Sequence, residues 1–317
     1  MKIAAILPCY RSSREAAGVA HACLKEVDLV ICIDDNCPEQ TGEVLKKTFI
    51  DEPRVVILYN HINLGVGGSV KRGINHLIDS DIDVIVKVDS DGQINPALIP
   101  KLVQPIIDGH AQFCKGNRFR DTDILRSMPL IRLIGNAGLS FITKLSTGYW
   151  ELFDPTNGFL AISMKAIERI KINKTDNRYF FETDLLLRCA LADIKIHEIP
   201  MQAKYCGETS SLNPLSELTR FTRKHFVVFF KRISYQYFIL EMNPGSFELL
   251  GGIASGVAAL VIGFKSLFIG WQTGLETPAG TQTLFLVMMI ISLQLSLGFI
   301  YYDSVFRPLM REIKSRA

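Results

Sequence analysis

Asp89 and Asp91 stand one residue apart in Asp89-Ser90-Asp91-Gly92-Gln93, directly after the run Val84-Ile85-Val86-Lys87-Val88. In extended chain, side chains two residues apart share a side, so a strand ending here can present both carboxylates to one hard divalent cation. Mg2+ or Mn2+ is typically held by one or two carboxylates, with substrate phosphates completing the shell. Such an ion offsets the charge that develops on a departing diphosphate. Asp-x-Asp alone also describes an ordinary turn or helix cap, so the surrounding elements must decide.

Those elements are strands alternating with amphipathic helices. Residues 3–7, 29–34, 55–59 and 84–89 read as strands, and 14–26, 42–50, 66–79 and 96–108 as helices, the last opening on a first-turn proline. The alternation predicts an α/β domain over residues 1–212 with a largely parallel sheet. Polar residues follow each strand: Pro8-Cys9-Tyr10, Asp34-Asp35-Asn36, the stretch 60–68 and Asp89-Ser90-Asp91. In open α/β sheets the ligand crevice lies beyond the carboxyl ends of the strands, so these turns are expected to meet at one site.

The C-terminal third has a different character. Residues 213–245 mix Phe221, Phe226, Val227, Phe229, Phe230, Tyr235 and Phe238 with Arg220, Arg223, Lys224, Lys231 and Arg232. This composition suits either amphipathic helices in a membrane interface or a helix packed on the domain. Two apolar runs, 247–271 and 283–302, are each long enough to cross a hydrocarbon core, which takes about 20 residues. Together they predict a two-helix transmembrane hairpin over 246–303, followed by a basic tail over 304–317. The connection 272–282 has no Lys or Arg, whereas basic residues flank the hairpin on both sides, so the catalytic domain and tail are expected on the cytoplasmic face. Lys265 inside the first run can snorkel outward or serve as a functional intramembrane charge. Gly252 and Gly256 permit close helix contact, within the hairpin or in a homo-oligomer.

Bulk composition removes other classes. Of 317 residues, 48% are hydrophobic and 21% charged, and the net charge of +3 gives no clustered basic face for nucleic acid. The seven cysteines are scattered without metal-site spacing, as expected of free thiols in a reducing compartment. The opening residues are too soon broken by Pro8 to read as a signal peptide.

Taken in order, Pro8-x-Tyr10, Ile33-Asp34-Asp35, Asn63-Leu64-Gly65, Asp89-Ser90-Asp91-Gly92-Gln93 with Asn95-Pro96, Gly116-Asn117-Arg118-Phe119 and Asp154-Pro155-Thr156-Asn157-Gly158-Phe159 resemble family 2 glycosyltransferases of the GT-A fold. The dolichol-phosphate mannose synthase group and bacterial polyprenyl-phosphate glycosyltransferases are the most similar. The resemblance spans roughly residues 2–212. It implies a Rossmann-like, mostly parallel mixed sheet and an inverting transfer from a nucleotide-sugar donor to a polyprenyl-phosphate lipid at a membrane, the bacterial inner membrane being the expected setting. By the same resemblance, Pro8, Tyr10, Asp35, Asn63, Gly65 and Asp89 hold the donor, and Asp89, Asp91 and Gln93 hold Mg2+ or Mn2+. Arg118 and Arg132 hold the acceptor phosphate, which suits guanidinium's planar fork. Asp154 stands near the reacting centre as base or as orienter.

A lipid phosphate is already ionised, so positioning and electrostatics can carry much of the step without a general base. None of the six histidines is given a catalytic role. Three departures stand out. Arg11-Ser12-Ser13 replaces the acidic or amide residues that usually follow the first tyrosine, so that role is not carried to Glu15. Cys206 stands where the group often has arginine before a Gly-Glu-Ser-Ser-like run, leaving Lys204 as a substitute cation. Glu182 and Asp184 in Tyr179-Phe180-Phe181-Glu182-Thr183-Asp184 either order the acceptor side or cap a helix. A hydroxyl acceptor would need a base, for which Asp184 is the candidate; a non-catalytic nucleotide-binding scaffold is the remaining alternative.

Overall fold

The computed structural model describes residues 1–120, 130–201 and 214–316. Among them the chain divides into two compact units, Met1–Arg232 and Ile233–Ala317.

The first unit is built on a seven-stranded sheet: β1 (Ile3–Cys9), β2 (Leu29–Asp34), β3 (Val55–Tyr59), β4 (Val84–Lys87), β5 (Phe113–Asn117), β6 (Leu160–Ser163) and β7 (Ile196–Pro200). Its order is β3-β2-β1-β4-β6-β5-β7. β1 to β4 are parallel, β6 runs antiparallel to both β4 and β5, and β5 pairs parallel with β7. The expected mixed, mostly parallel sheet is therefore present.

Helices α1 (Ala16–Cys23), α2 (Thr41–Thr48), α3 (Val66–Leu77), α4 (Ile99–Ile107), α5 (Leu130–Thr147), α6 (Met164–Arg169), α7 (Phe181–Leu191) and α8 (Pro214–Ser234) complete the unit. A sheet covered on both faces must be apolar on both, and β1 shows how alternation achieves this. Ala4 and Ile6 point into a core with Val70 and Ile74 of α3 and Phe181 and Leu185 of α7. Ala5 and Leu7 point into the opposite core, with Val19 of α1 and Leu102 of α4.

α8 departs from the expected polarity. Phe226, Val227 and Phe230 are exposed, while His225, Val228 and Arg232 are buried. Arg232, grouped by sequence with an interfacial basic set, is completely inaccessible. Its Nε donates to the Ser146 carbonyl at 3.1 Å and its Nη2 to the Leu145 carbonyl at 2.9 Å. These carbonyls belong to the last turn of α5, where no helical donors remain and a cation meets the negative end of the helix dipole. Lys224 is likewise paired, with Asp176. Most of α8 thus belongs to the first unit, although the composition break lies near residue 212.

The second unit contains α9 (Pro244–Thr273), α10 (Ala279–Tyr301) and α11 (Arg307–Arg316). α9 opens with Asn243 in a capping box with Ser246 and Pro244 in the first turn. Pro244–Thr273 and Ala279–Met310 are long and apolar enough to cross a membrane. Ser292 Oγ of α10 donates to the Gly252 carbonyl of α9 at 2.8 Å, so the small-residue stripe serves contact within the hairpin. Lys265 is exposed. At the base of the hairpin, Tyr237 donates its hydroxyl to the buried Asp303 at 2.7 Å.

His225 joins α8 to α5 through a 2.8 Å hydrogen bond between Nδ1 and Ser146 Oγ, and its ring meets Phe180 edge-on. Its Nε2 is buried without a hydrogen-bond partner, and burial lowers its pKa from 6.5 to about 4. Between those values the unfolded chain takes up a proton that the folded chain refuses, so stability falls as pH drops through that window and is insensitive to this group above it. His225→Gln should flatten the acid limb of melting temperature against pH in detergent. Parallel curves for variant and wild type would refute the assignment.

Candidate active site

The four strand-end turns meet. Pro8, Tyr10, Asp35, Asn63, Gly65, Asp89 and Asp91 all line one cavity of about 730 Å³, together with Lys87, Thr156, Gly158, Arg178 and Glu182. Most are delivered by the segment after a strand or at the start of a helix, and Thr156 and Gly158 by the loop before β6, which is why distant sequence positions converge.

The adjacent acids at the end of β2 divide their work. Asp34 is structural: its Oδ1 accepts from Cys37 N–H at 2.7 Å and its Oδ2 from Gly42 N–H at 2.6 Å, fastening the start of α2. Asp35 reaches the cavity. Its Oδ1 accepts from Asn60 Nδ2 at 2.7 Å and Leu64 N–H at 2.8 Å, and its Oδ2 from Gly65 N–H at 2.7 Å. Asp35 therefore shapes the Asn63-Leu64-Gly65 turn as well as lining the site. Gly65 has φ +86°, and a side chain there would meet the Asn177 carbonyl at 2.8 Å, so the position demands glycine.

β4 ends at Lys87, two residues earlier than its pattern predicts, so Asp89 and Asp91 belong to the following turn rather than to one strand face. Ser90 anchors that turn: its hydroxyl donates to the Pro8 carbonyl and shares a hydrogen bond with Ser12 Oγ, both at 2.8 Å. Asp91 is exposed, and its Oδ1 accepts from Gln93 N–H at 3.0 Å. Gln93 closes the turn through its backbone, and its side chain does not line the cavity.

Beneath the turn lies Lys87, 1% exposed. Its Nζ donates to Asp89 Oδ1 at 2.7 Å and to the Gly158 carbonyl at 3.2 Å, and stands 3.3 Å from Glu182 Oε1. Burial opposes its charge, but Asp89 and Glu182 outweigh that and raise its pKa. A side chain at Gly158 would overlap Asp89 Oδ2 and Lys87 Nζ, so only glycine can approach this ion pair so closely.

This donor set suits a hard cation: two carboxylates on a cavity wall, Asp89 partly exposed and Asp91 exposed. Among the described residues no group of three or more His, Cys, Asp or Glu could hold a metal. An ion at Asp89 and Asp91 would thus complete its shell from phosphate and water, as Mg2+ and Mn2+ do.

Beside the cavity a second network holds Arg118. Asp154 is completely buried and grips it in a fork: Arg118 Nε to Oδ2 at 2.8 Å and Nη2 to Oδ1 at 2.9 Å, with Arg118 N–H also on Oδ2 at 3.1 Å. Glu198 of β7 sets Asp154 in turn. Its Oε1 accepts the Phe153 and Asp154 N–H groups at 2.8 and 2.9 Å, and its Oε2 accepts Asn117 Nδ2 at 2.6 Å. Lys115, also buried, donates to the Asn157 carbonyl at 2.6 Å, and desolvation lowers its pKa to about 8. Arg118 and Asp154 are not among the cavity-lining residues. Arg132 lies in the first turn of α5, whose side chains fall outside the described residues, as does Lys204.

Sequence reasoning gave no role to Lys87, Lys115, Glu198 or Ser90. A signal existed: lysine inside the apolar strands Val84–Lys87 and Phe113–Asn117 cannot be buried without partner charges nearby.

Residues 4–171 match the family described as Glycosyl transferase family 2. The chain is 27% identical over 213 residues to the UDP-N-acetylglucosamine--dolichyl-phosphate N-acetylglucosaminyltransferase of Methanococcus voltae, covering 63% of this chain and 84% of the relative. It is 24% identical over 202 residues to the polyprenol monophosphomannose synthase of Mycolicibacterium smegmatis, covering 62% and 75%. Its fold matches glucosyl-3-phosphoglycerate synthase from Mycobacterium tuberculosis, solved with Mn2+, UDP and phosphoglyceric acid, at TM-score 0.53 and 17% identity, covering 73% of this chain and 78% of that one.

If Asp154 acts by aiming Arg118, the two form one unit. Arg118→Ala and Asp154→Ala should each lower kcat/KM by roughly 10²-fold, and the double variant by little more than either alone. Multiplicative losses would give Asp154 an independent role.

Proposed function

This chain belongs to glycosyl transferase family 2, and from that premise we propose that it moves a sugar from a UDP- or GDP-sugar to a polyprenyl phosphate at the cytoplasmic face of a membrane. The observation that carries the reading is the convergence of Pro8, Tyr10, Asp35, Asn63, Gly65, Asp89 and Asp91 on one cavity, in a chain that also has two helices fit to cross a bilayer. Relatives named for dolichyl-phosphate and polyprenol acceptors support the lipid-phosphate acceptor.

In this mechanism Pro8, Tyr10 and the turn held by Asp35 receive the nucleoside, with glycine at position 65 allowing close backbone approach. Asp89 and Asp91 would hold Mg2+ or Mn2+, which when bound offsets charge on the departing diphosphate. Arg118, fixed by the Asp154 fork, offers a planar donor face to the acceptor phosphate, the role also assigned to Arg132. A lipid-phosphate oxygen attacks the anomeric carbon, the bond to the diphosphate breaks, and the configuration inverts. No proton need leave the nucleophile, which agrees with an Asp154 whose two oxygens are both engaged by Arg118. The hairpin retains the enzyme where a polyprenyl chain is dissolved, and the exposed Phe226, Val227 and Phe230 of α8 suit an apolar boundary.

A hydroxyl acceptor is disfavoured by the placement of its candidate base. Asp184 Oδ2 already accepts from Asp176 N–H at 2.9 Å, which leaves that oxygen holding the segment before α7. A scaffold without turnover is disfavoured by the intact Asp89, Asp91, Asp154 and Arg118.

Purified protein given polyprenyl phosphate, Mn2+ and a panel of UDP- and GDP-sugars should yield a polyprenyl-phosphate-linked sugar by mass spectrometry. Asp91→Asn should lower its formation by at least about 10²-fold. Sugar transfer only to saccharide acceptors, or full-rate, still metal-dependent transfer by Asp91→Asn, would refute the reading.

A further inference from the structure

Neither the donor nor the metal assignment gives Lys87 a task, although it lines the cavity floor. An ammonium has three protons to donate. Here three acceptors surround it: Asp89 Oδ1 at 2.7 Å, the Gly158 carbonyl at 3.2 Å and Glu182 Oε1 at 3.3 Å. The side chain is 1% exposed, so water screens its charge little, and the strand beneath fixes its position. A permanent positive charge thus touches one of the two carboxylates assigned to the cation and approaches a third carboxylate on the same wall. Buried Lys115 adds a second positive charge behind that wall, facing Glu182, Asp154 and Glu198.

We propose that Lys87 makes divalent-cation binding conditional on the nucleoside diphosphate. The inference rests on the assignment of Asp89 and Asp91 as the cation's ligands. Affinity at a hard-cation site follows the net charge of its ligands. Without donor, the cation meets Asp89 and Asp91 in the field of Lys87, which already partly neutralises Asp89, and binds weakly. With the donor in place, the diphosphate adds negative charge and oxygen ligands, and the cation binds tightly. Ion and nucleotide therefore enter as partners, and the vacant enzyme does not sequester metal. By reciprocity the cation raises nucleotide affinity by the same factor.

The test uses full-length protein in detergent and the free-ion signal of Mn2+ in electron paramagnetic resonance, without nucleotide and with saturating UDP or, in a parallel arm, GDP. Wild type should bind Mn2+ at least tenfold more tightly with one of the nucleotides than alone. Lys87→Met should bind bare Mn2+ at least tenfold more tightly than wild type and lose most of the nucleotide enhancement. Glu182→Gln, which removes one negative charge and leaves the ammonium in place, should weaken bare Mn2+ binding and keep the enhancement. A Lys87→Met protein that is folded yet keeps the wild-type enhancement would overturn this role and leave the metal assignment standing. If Lys87→Met does not fold, tighter bare-ion binding by Glu182→Gln overturns it instead. Wild type that binds no Mn2+ with either nucleotide would overturn both.

Discussion

Buried charge is the constraint around which this active site is arranged. Lys87 and Lys115 are buried in strands whose neighbouring inward residues are largely apolar, and neither is tolerable there without acceptors. Satisfying Lys87 brings together the end of β4, the loop carrying Gly158 and the first turn of α7, three segments far apart in sequence. Satisfying Lys115 adds the loop of Asn157, and Glu198 then fixes Asp154 and through it Arg118. The cavity wall at Lys87 and the Arg118 network beside it are thus chains of ionic and hydrogen-bonded contacts laid over the sheet. Removing one partner of such a pair strands the other in a poorly solvating interior, so the wall stands or fails as a group.

Much of this frame was legible beforehand because it depends on local patterns. β2 and β3 fall on the expected residues, since unbroken apolar runs bounded by polar turns leave little choice. The convergence of the four turns followed from the general position of crevices in such sheets. Less legible were contacts that depend on what faces what. The sequence order Asp34-Asp35 does not say which acid turns inward to hold α2 and which reaches the cavity. Nor could β4's apolar run reveal that it stops at Lys87, because the turn's geometry comes from Ser90 binding the Pro8 carbonyl across the sheet. Asp154 was located by its motif, but its fork on Arg118 depends on a backbone clamp from Glu198, some forty residues away in sequence, that no local pattern encodes.

The C-terminal region shows the same division. Apolar run length marked both long helices, Pro244–Thr273 and Ala279–Tyr301, to within a few residues, because an unbroken apolar run long enough to cross a bilayer leaves little choice of element. α8 was harder. Its mixture of aromatic and basic residues fits an interfacial helix, yet the buried face carries His225 and Arg232 while phenylalanines face outward. A basic residue in an amphipathic stretch reads as solvated until a helix end elsewhere is found to need it.

Arg232 carries a practical consequence for dissecting the enzyme. It is the last residue of the first compact unit, and it closes the Ser146 carbonyl at the end of α5 from 86 positions further along the chain. A boundary chosen from composition, near residue 212, would discard this plug and the His225 bridge with it. A water-soluble fragment would have to retain α8 through Ser234 and accommodate its bare phenylalanines by some means other than a bilayer.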